Sequence, residues 1–196
     1  MPRIARLVQA NGYYHIVSRS LNETRIFRDD DDFSFFLNLA YKAKQKYPMT
    51  IFHYVIMNTH FHFVVQCRHH PSLSQNIAHM KWHYTSWIRK KYGWRGPLWR
   101  ERFKSLAIEN EDYLHMCGLY IVYNPVRAKI CNHPSEYPYS SYKKYFLGSA
   151  DRLIDGALSR PFNSKQFDYA SNVTKRFFSQ SIAIGSDPFI KQFSES

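Results

Sequence analysis

The chain is short of cysteine, short of acidic residues relative to basic ones, and without a long apolar run. Each shortage removes a class of protein. Its three cysteines, Cys67, Cys117 and Cys131, are odd in number and never fall at CxxC spacing, so neither a disulfide framework nor a zinc ribbon is expected. No stretch of about eighteen or more apolar residues is present, and residues 1–12 carry no signal-peptide pattern. The cytoplasm is therefore the expected compartment, with no membrane as partner. Only 15 Asp and Glu stand against 27 Lys and Arg, a formal charge of +12. Such an excess favours a polyanion, because each neutralised phosphate releases condensed counterions, and nucleic acid is the expected partner. A hydrophobic content of 44% in 196 residues is enough for one domain with a full core.

Residues 12–18 have the β-branched and aromatic content of a first strand. Asp29, Asp30, Asp31 and Asp32 follow where a helix N-terminus welcomes negative charge, and Phe33, Phe36, Leu37, Ala40 and Tyr41 then repeat at helical spacing. The acidic run thus reads as a helix start rather than a metal site. Tyr47-Pro48 closes that helix, and strands over 50–56 and 61–66 flank the turn-like Met57-Asn58-Thr59. Pro71-Ser72 opens a long helix to about Lys91, residues 103–108 suit another strand, and Asn110 caps a helix running to Pro125. The order β-α-β-β-α-β-α predicts an α+β fold: a ferredoxin-like antiparallel sheet with helices on one face and the last helix added. Residues 1–149 are expected to form that domain. Residues 150–196 read as an appended tail of uncertain role, with one helix over 164–179.

The chemistry starts at His60-Phe61-His62. Residues two apart in a strand share a face, so both imidazoles can meet one cation while Phe61, Phe63 and Val65 enter the core. With ten histidines in the chain the pair can also arise by chance, as two surface or hydrogen-bonded histidines. Tyr120 and Asn124, four residues apart, lie on one helical face. If that face meets the histidine strand, a divalent cation held by His60, His62 and the Asn124 amide oxygen would polarise a phosphate for attack by the Tyr120 hydroxyl. Imidazole and oxygen donors accept Mg²⁺, Mn²⁺ or a later transition metal. Three alternatives stand beside this reading: Tyr120 as a core ring, Asn124 as a simple helix end, and Tyr123 as the nucleophile.

Residues 81–104 alternate cations with aromatic rings, as a single-stranded nucleic acid requires: cations track phosphates, and exposed rings stack on bases at roughly 1–3 kcal/mol each. The candidate contacts are Lys81, Arg89, Lys90, Lys91, Trp94, Arg95, Arg100, Arg102 and Lys104, with Arg3, Arg6 and Arg19 from the N-terminal part. Trp82 and Phe103 are expected in the core instead.

Five segments in order, Gly12-Tyr-Tyr-His-Ile-Val-Ser-Arg19, Met57-Asn-Thr-His-Phe-His-Phe63, Leu98-Trp-Arg-Glu-Arg-Phe-Lys-Ser105, Tyr120-Ile-Val-Tyr-Asn-Pro-Val-Arg-Ala128 and Tyr137-Pro-Tyr-Ser-Ser-Tyr142, resemble the single-tyrosine HUH transposases, in particular the REP-associated branch. The resemblance covers about residues 1–146. It implies an HUH endonuclease domain that cuts and rejoins single-stranded DNA near hairpins or REP-like palindromes, with Mg²⁺ or Mn²⁺ and a 5′-phosphotyrosine intermediate. It assigns the metal to His60, His62 and Asn124 and the nucleophile to Tyr120. It further implies a monomer or homodimer in the bacterial cytoplasm, associated with the nucleoid. Two departures bear on DNA preference: Asn58-Thr59 stand where relatives often have Pro-Asn, and Glu101 where Gly is frequent. A replication initiator or relaxase is disfavoured by the absence of a second tyrosine motif or a helicase segment. A catalytically silent hairpin or single-strand binder is the alternative of another class.

Overall fold

The computed structural model describes residues 11–67, 70–155 and 183–194. Its strands are β1 (Gly12–Arg19), β2 (Thr50–Met57), β3 (His60–Cys67), β4 (Lys104–Ile108) and β5 (Ala183–Ile184). Its helices are α1 (Asp30–Lys46), α2 (His70–Tyr92), α3 (Glu111–Val122), α4 (Asn124–Arg127), α5 (Tyr142–Phe146) and α6 (Asp187–Ser194). The expected alternation through α3 is present. The sheet order is β2-β3-β1-β4-β5, with antiparallel neighbours except for β5, which lies parallel to β4. The first four strands have the ferredoxin-like order. No helix among the described residues is long and apolar enough to cross a membrane.

The acidic run starts α1: the Asp29 carboxylate accepts the Asp32 backbone N–H at 3.1 Å, while Lys44 and Lys46 occupy the last turn, where the helix dipole favours cations. One face of the sheet presents Ile16, Tyr54, Ile56, Phe61, Phe63 and Val65 to α1 and α2. Helix α2 answers with the stripe Leu73, Ile77, Met80, Tyr84 and Ile88. The Phe27 ring lies 4.7 Å from Tyr84 and 5.1 Å from Phe36, which in turn lies 5.0 Å from Phe61. Truncating such a ring to Ala costs about 3–5 kcal/mol. That stripe leaves Trp82 on the far side of α2, where it is 66% exposed. The expectation that Trp82 enters the core is therefore corrected, whereas Phe103 is buried as expected.

The added helix covers the other face of the sheet. Val55, Met57, Val64, Leu106 and Ile108 pack there against Leu114, Cys117 and Ile121 of α3. Helices α1 and α2 thus share one face, as expected, and the added helix takes the other, which it can cover because β3 is apolar on both sides: Val64 is as fully buried as Phe63. Residues 151–155 return to α1 and β2. The Lys44 ammonium donates to the carbonyl oxygens of Arg152 and Leu153 and pairs with Asp155 at 2.6 Å, and the Tyr54 hydroxyl bonds Asp151 at 2.8 Å. The helix expected over 164–179 lies outside the described residues.

Candidate active site

His60 and His62 lie on the α3 side of β3, with Arg19 and Met57 opposite His60 and Val17 and Val55 opposite His62. Their rings are 5.0 Å apart at 80°. The Nδ1 of His60 shares a hydrogen bond with Thr59 Oγ1 at 2.8 Å, and the Nδ1 of His62 shares one with Nε2 of the buried His15, also at 2.8 Å. Each Nδ1 is engaged, so Nε2 is the nitrogen that each ring could offer to a cation, and a hydrogen bond on the other nitrogen is how metal-binding imidazoles are usually oriented. Burial, with Arg19 adding repulsion, pushes the pKa of His60 down to about 4; burial and the nearby His60, His15, Arg19 and Arg127 push that of His62 well below its ordinary value. Both rings are neutral near pH 7, the form that ligates a cation.

The sequence brings α3 close to the sheet at Gly118, where a Cβ would come within 2.4 Å of the His53 ring. Tyr120, two residues on, is half-buried. The helix expected to run to Pro125 ends earlier: α3 stops at Val122, Tyr123 is its C-cap, and Asn124 opens the short α4. Pro125 has no N–H to continue the ladder. The break does not separate Tyr120 from Asn124, because Arg127 spans them. Its Nη2 donates to the Tyr120 carbonyl oxygen at 2.6 Å and to Asn124 Oδ1 at 2.8 Å, and its guanidinium carbon lies 3.8 Å from the Tyr120 ring centroid. The Tyr123 ring instead meets Tyr142, edge to face at 6.3 Å.

The donor set fits a divalent cation. Among the described residues no three His, Cys, Asp or Glu side chains converge on one point, so a third protein ligand would have to be an amide or hydroxyl oxygen. Asn124 is the amide that the sequence singles out for that role. A guanidinium can only donate, so Arg127 fixes the Asn124 oxygen towards itself, and that oxygen keeps a second lone pair for a metal. The Asn124 amide nitrogen is buried without a hydrogen-bond partner among the described residues.

The basic segment borders this site in part. Trp99 bridges Ser20, and the Arg100 N–H donates to the Arg19 carbonyl at 3.0 Å, which lays residues 98–100 beside the end of β1 that pairs with His60. Arg19, Arg100, Arg102 and Lys104 are exposed there, and Arg89, Lys90 and Arg95 are exposed in and after the last turn of α2. Other candidates are engaged elsewhere. Lys91 pairs with Asp29 at 2.6 Å and Asp32 at 3.1 Å, Lys81 donates to the Glu101 carbonyl, and Trp94 is half-buried against the core. Arg3 and Arg6 lie outside the described residues. His15 and Arg127 were not singled out from the sequence. His15 alternates with Val17, the residue paired with His62, and Arg127 stands seven and three residues after Tyr120 and Asn124, both helical intervals.

A ferredoxin-like sheet with a helix laid over the face that bears paired histidines is the fold of the tyrosine transposases. Residues 8–124 match the family described as IS200-like transposase, and the chain belongs to that family. A solved REP-associated tyrosine transposase bound to a REP hairpin shares the fold, with a TM-score of 0.64 at 20% identity over 82% of this chain and 94% of that one. More remote are a candidate transposase from Deinococcus radiodurans R1 (TM-score 0.43, 12% identity, 66% and 92% covered) and the tRNA(His) guanylyltransferase of Saccharomyces cerevisiae (0.41, 14%, 85% and 96%). No curated protein matches the chain.

Proposed function

We propose that this transposase is a metal-dependent single-stranded DNA endonuclease and strand transferase that cuts and rejoins beside hairpins or REP-like palindromes through a 5′-phosphotyrosine on Tyr120. The observation that carries the reading is the bridging of Tyr120 and Asn124 by Arg127, whose charge in turn acts on the buried His62. Family membership, and a relative of the same fold bound to a hairpin, support the substrate class. His60, His62 and Asn124 would hold a divalent cation, which would supply Lewis acidity at a phosphate oxygen. The protein's part is orientation: β3 fixes the two rings, His15 and Thr59 set their tautomers, and α3 presents the Tyr120 hydroxyl. The phenolic oxygen bonds phosphorus as the bond to the 3′-oxygen breaks. The exposed Arg19, Arg100, Arg102 and Lys104 hold the strand by its phosphates.

A silent hairpin-binding module is the second reading, favoured by one observation: the Tyr120 ring lies under a guanidinium and the Asn124 oxygen already accepts a hydrogen bond. A denaturing gel with Mg²⁺ or Mn²⁺ and hairpin oligonucleotides from around the protein's own gene separates the two. A covalent protein–DNA band that Tyr120→Phe abolishes, with hairpin binding retained, supports the enzyme. Tight binding with no band from the wild type refutes it in favour of the module.

A further inference from the structure

Resting on the phosphotyrosine reading, we propose that Arg127 is a catalytic residue of this site: its Nη1 receives a non-bridging oxygen of the scissile phosphate, while Nη2 and the guanidinium face hold Tyr120 and Asn124. The donors divide in that way in the structure. Nη2 is engaged by the Tyr120 carbonyl and Asn124 Oδ1, whereas Nη1 is buried and has no hydrogen-bond partner among the described residues. The charge is as telling as the donors. Ion pairs among the described residues are made by Lys44, Lys91 and Lys104, and none of the carboxylates among those residues lies within ion-pair distance of Arg127. Its partners are the Tyr120 carbonyl oxygen, the Asn124 amide oxygen and the Tyr120 side chain, none of them a carboxylate.

A half-buried cation without a counter-ion is an unfavourable arrangement, tolerated where an anion completes it. Capping the end of α3 and turning an amide require donors but no charge, so a neutral side chain could do both. What those tasks leave unexplained is the positive charge. A guanidinium in contact with both the attacking tyrosine and a metal-ligating amide has little room to be far from the phosphorus between them. As Tyr120 Oη bonds phosphorus and the 3′-oxygen departs, the phenolic proton is lost and one is taken up by the leaving oxygen. The negative charge on the non-bridging oxygens is largest during that exchange, which is when a fixed, desolvated cation stabilises most. The same contact then holds the phosphotyrosyl intermediate until a second strand end attacks it.

The test uses the full chain with Mn²⁺ and a hairpin oligonucleotide that gives the covalent band, comparing Arg127→Gln and Arg127→Lys with wild type. Readouts are single-turnover adduct rate, hairpin Kd by fluorescence anisotropy without metal, thermal unfolding, and rescue by added methylguanidinium. Arg127→Gln, which can still donate but carries no charge, should lose roughly 10²–10³-fold in rate while Kd changes less than about threefold, the small change expected when the transition state is stabilised more than the bound substrate. Methylguanidinium should restore at least about tenfold, and Arg127→Lys should fall between. An Arg127→Gln protein that forms adduct at the wild-type rate overturns the proposal, as does a rate loss that tracks lost thermal stability and resists rescue. Failure of the wild type to form any adduct is a different result: the phosphotyrosine reading itself then falls, and this one with it.

Discussion

Gly118→Ala is the perturbation whose outcome follows most directly from the geometry. A Cβ at Gly118 would sit 2.4 Å from Cδ2 and Nε2 of His53 and 2.8 Å from its Cε1. Favourable carbon contacts begin near 3.5 Å, so the ring and the helix must part by about 1 Å. The ring has little freedom: His53 is buried, its Nδ1 is 3.4 Å from Ser141 Oγ, and the Tyr145 ring packs on it at 4.5 Å. Helix α3 must therefore move, and Tyr120 moves with it. Overpacking of this kind costs roughly 1–3 kcal/mol, or a fall of roughly 2–12 °C in Tm for a chain of this size. Misplacing a reacting group by about 1 Å costs on the order of 10²-fold in rate. Differential scanning fluorimetry and the single-turnover adduct assay read the two effects. The cycle is closed with His53→Ala, which removes the obstructing ring. The double variant should form adduct faster than Gly118→Ala alone, with a coupling of roughly 1–3 kcal/mol. An unchanged Tm and rate for Gly118→Ala, or a double variant no better than the single one, would refute the account of how α3 is seated.

Three further outcomes follow from other contacts. His15→Ala removes the partner of His62 Nδ1 and should lower metal affinity by roughly 10–100-fold, read as the Mn²⁺ concentration needed for half-maximal adduct; an unchanged midpoint argues that His62 is oriented by something else. Burial, with His115 nearby, holds the pKa of His53 down to about 3, so below pH 6.5 the unfolded chain binds a proton that the folded one does not, and stability falls with pH. His53→Phe should reduce the stability lost between pH 7 and pH 5 by about 2 kcal/mol, measured by denaturant unfolding, and an equally steep loss sinks the assignment. Arg102→Ala should lower the slope of log K against log salt for hairpin binding by about 1, whereas Lys91→Met should leave it unchanged because Lys91 is paired with Asp29 and Asp32. Equal slopes for the two variants would show that exposure does not select the DNA contacts.

Local patterns were legible in the sequence to the extent that one element determines them. The alternation His60-Phe61-His62-Phe63 is a property of a strand, and Asp29 followed by an apolar stripe is a property of a helix start; both stand in the structure as read. What depends on the partner of an element was not legible. Trp82 is as apolar as Tyr84, but only the direction of the stripe against the sheet decides which of them meets water. Lys91 belongs to a basic run by sequence and to an acidic cluster by position, because α2 returns its last turn to the start of α1, about sixty residues earlier. His15 became part of the site only through strand register, which places β1 beside β3.

Both edges of the four-stranded antiparallel part of the sheet, β2 and β4, are covered, and by late parts of the chain. On β2, Ser140 bridges Val55 and the Ile56 N–H donates to the Tyr139 carbonyl; on β4, Ala107 and Ile108 pair with Ala183 and Ile184. At a synthesis rate of about 5–20 residues per second, the strand that closes β4 emerges roughly 4–15 s after β4 itself. Over that interval the nascent domain already carries Tyr120, Asn124 and Arg127 but still displays an open strand edge, the surface on which chains pair with one another. Residues 183–184 add nothing to the chemistry, yet they end the period in which a newly made molecule can be captured by its neighbour.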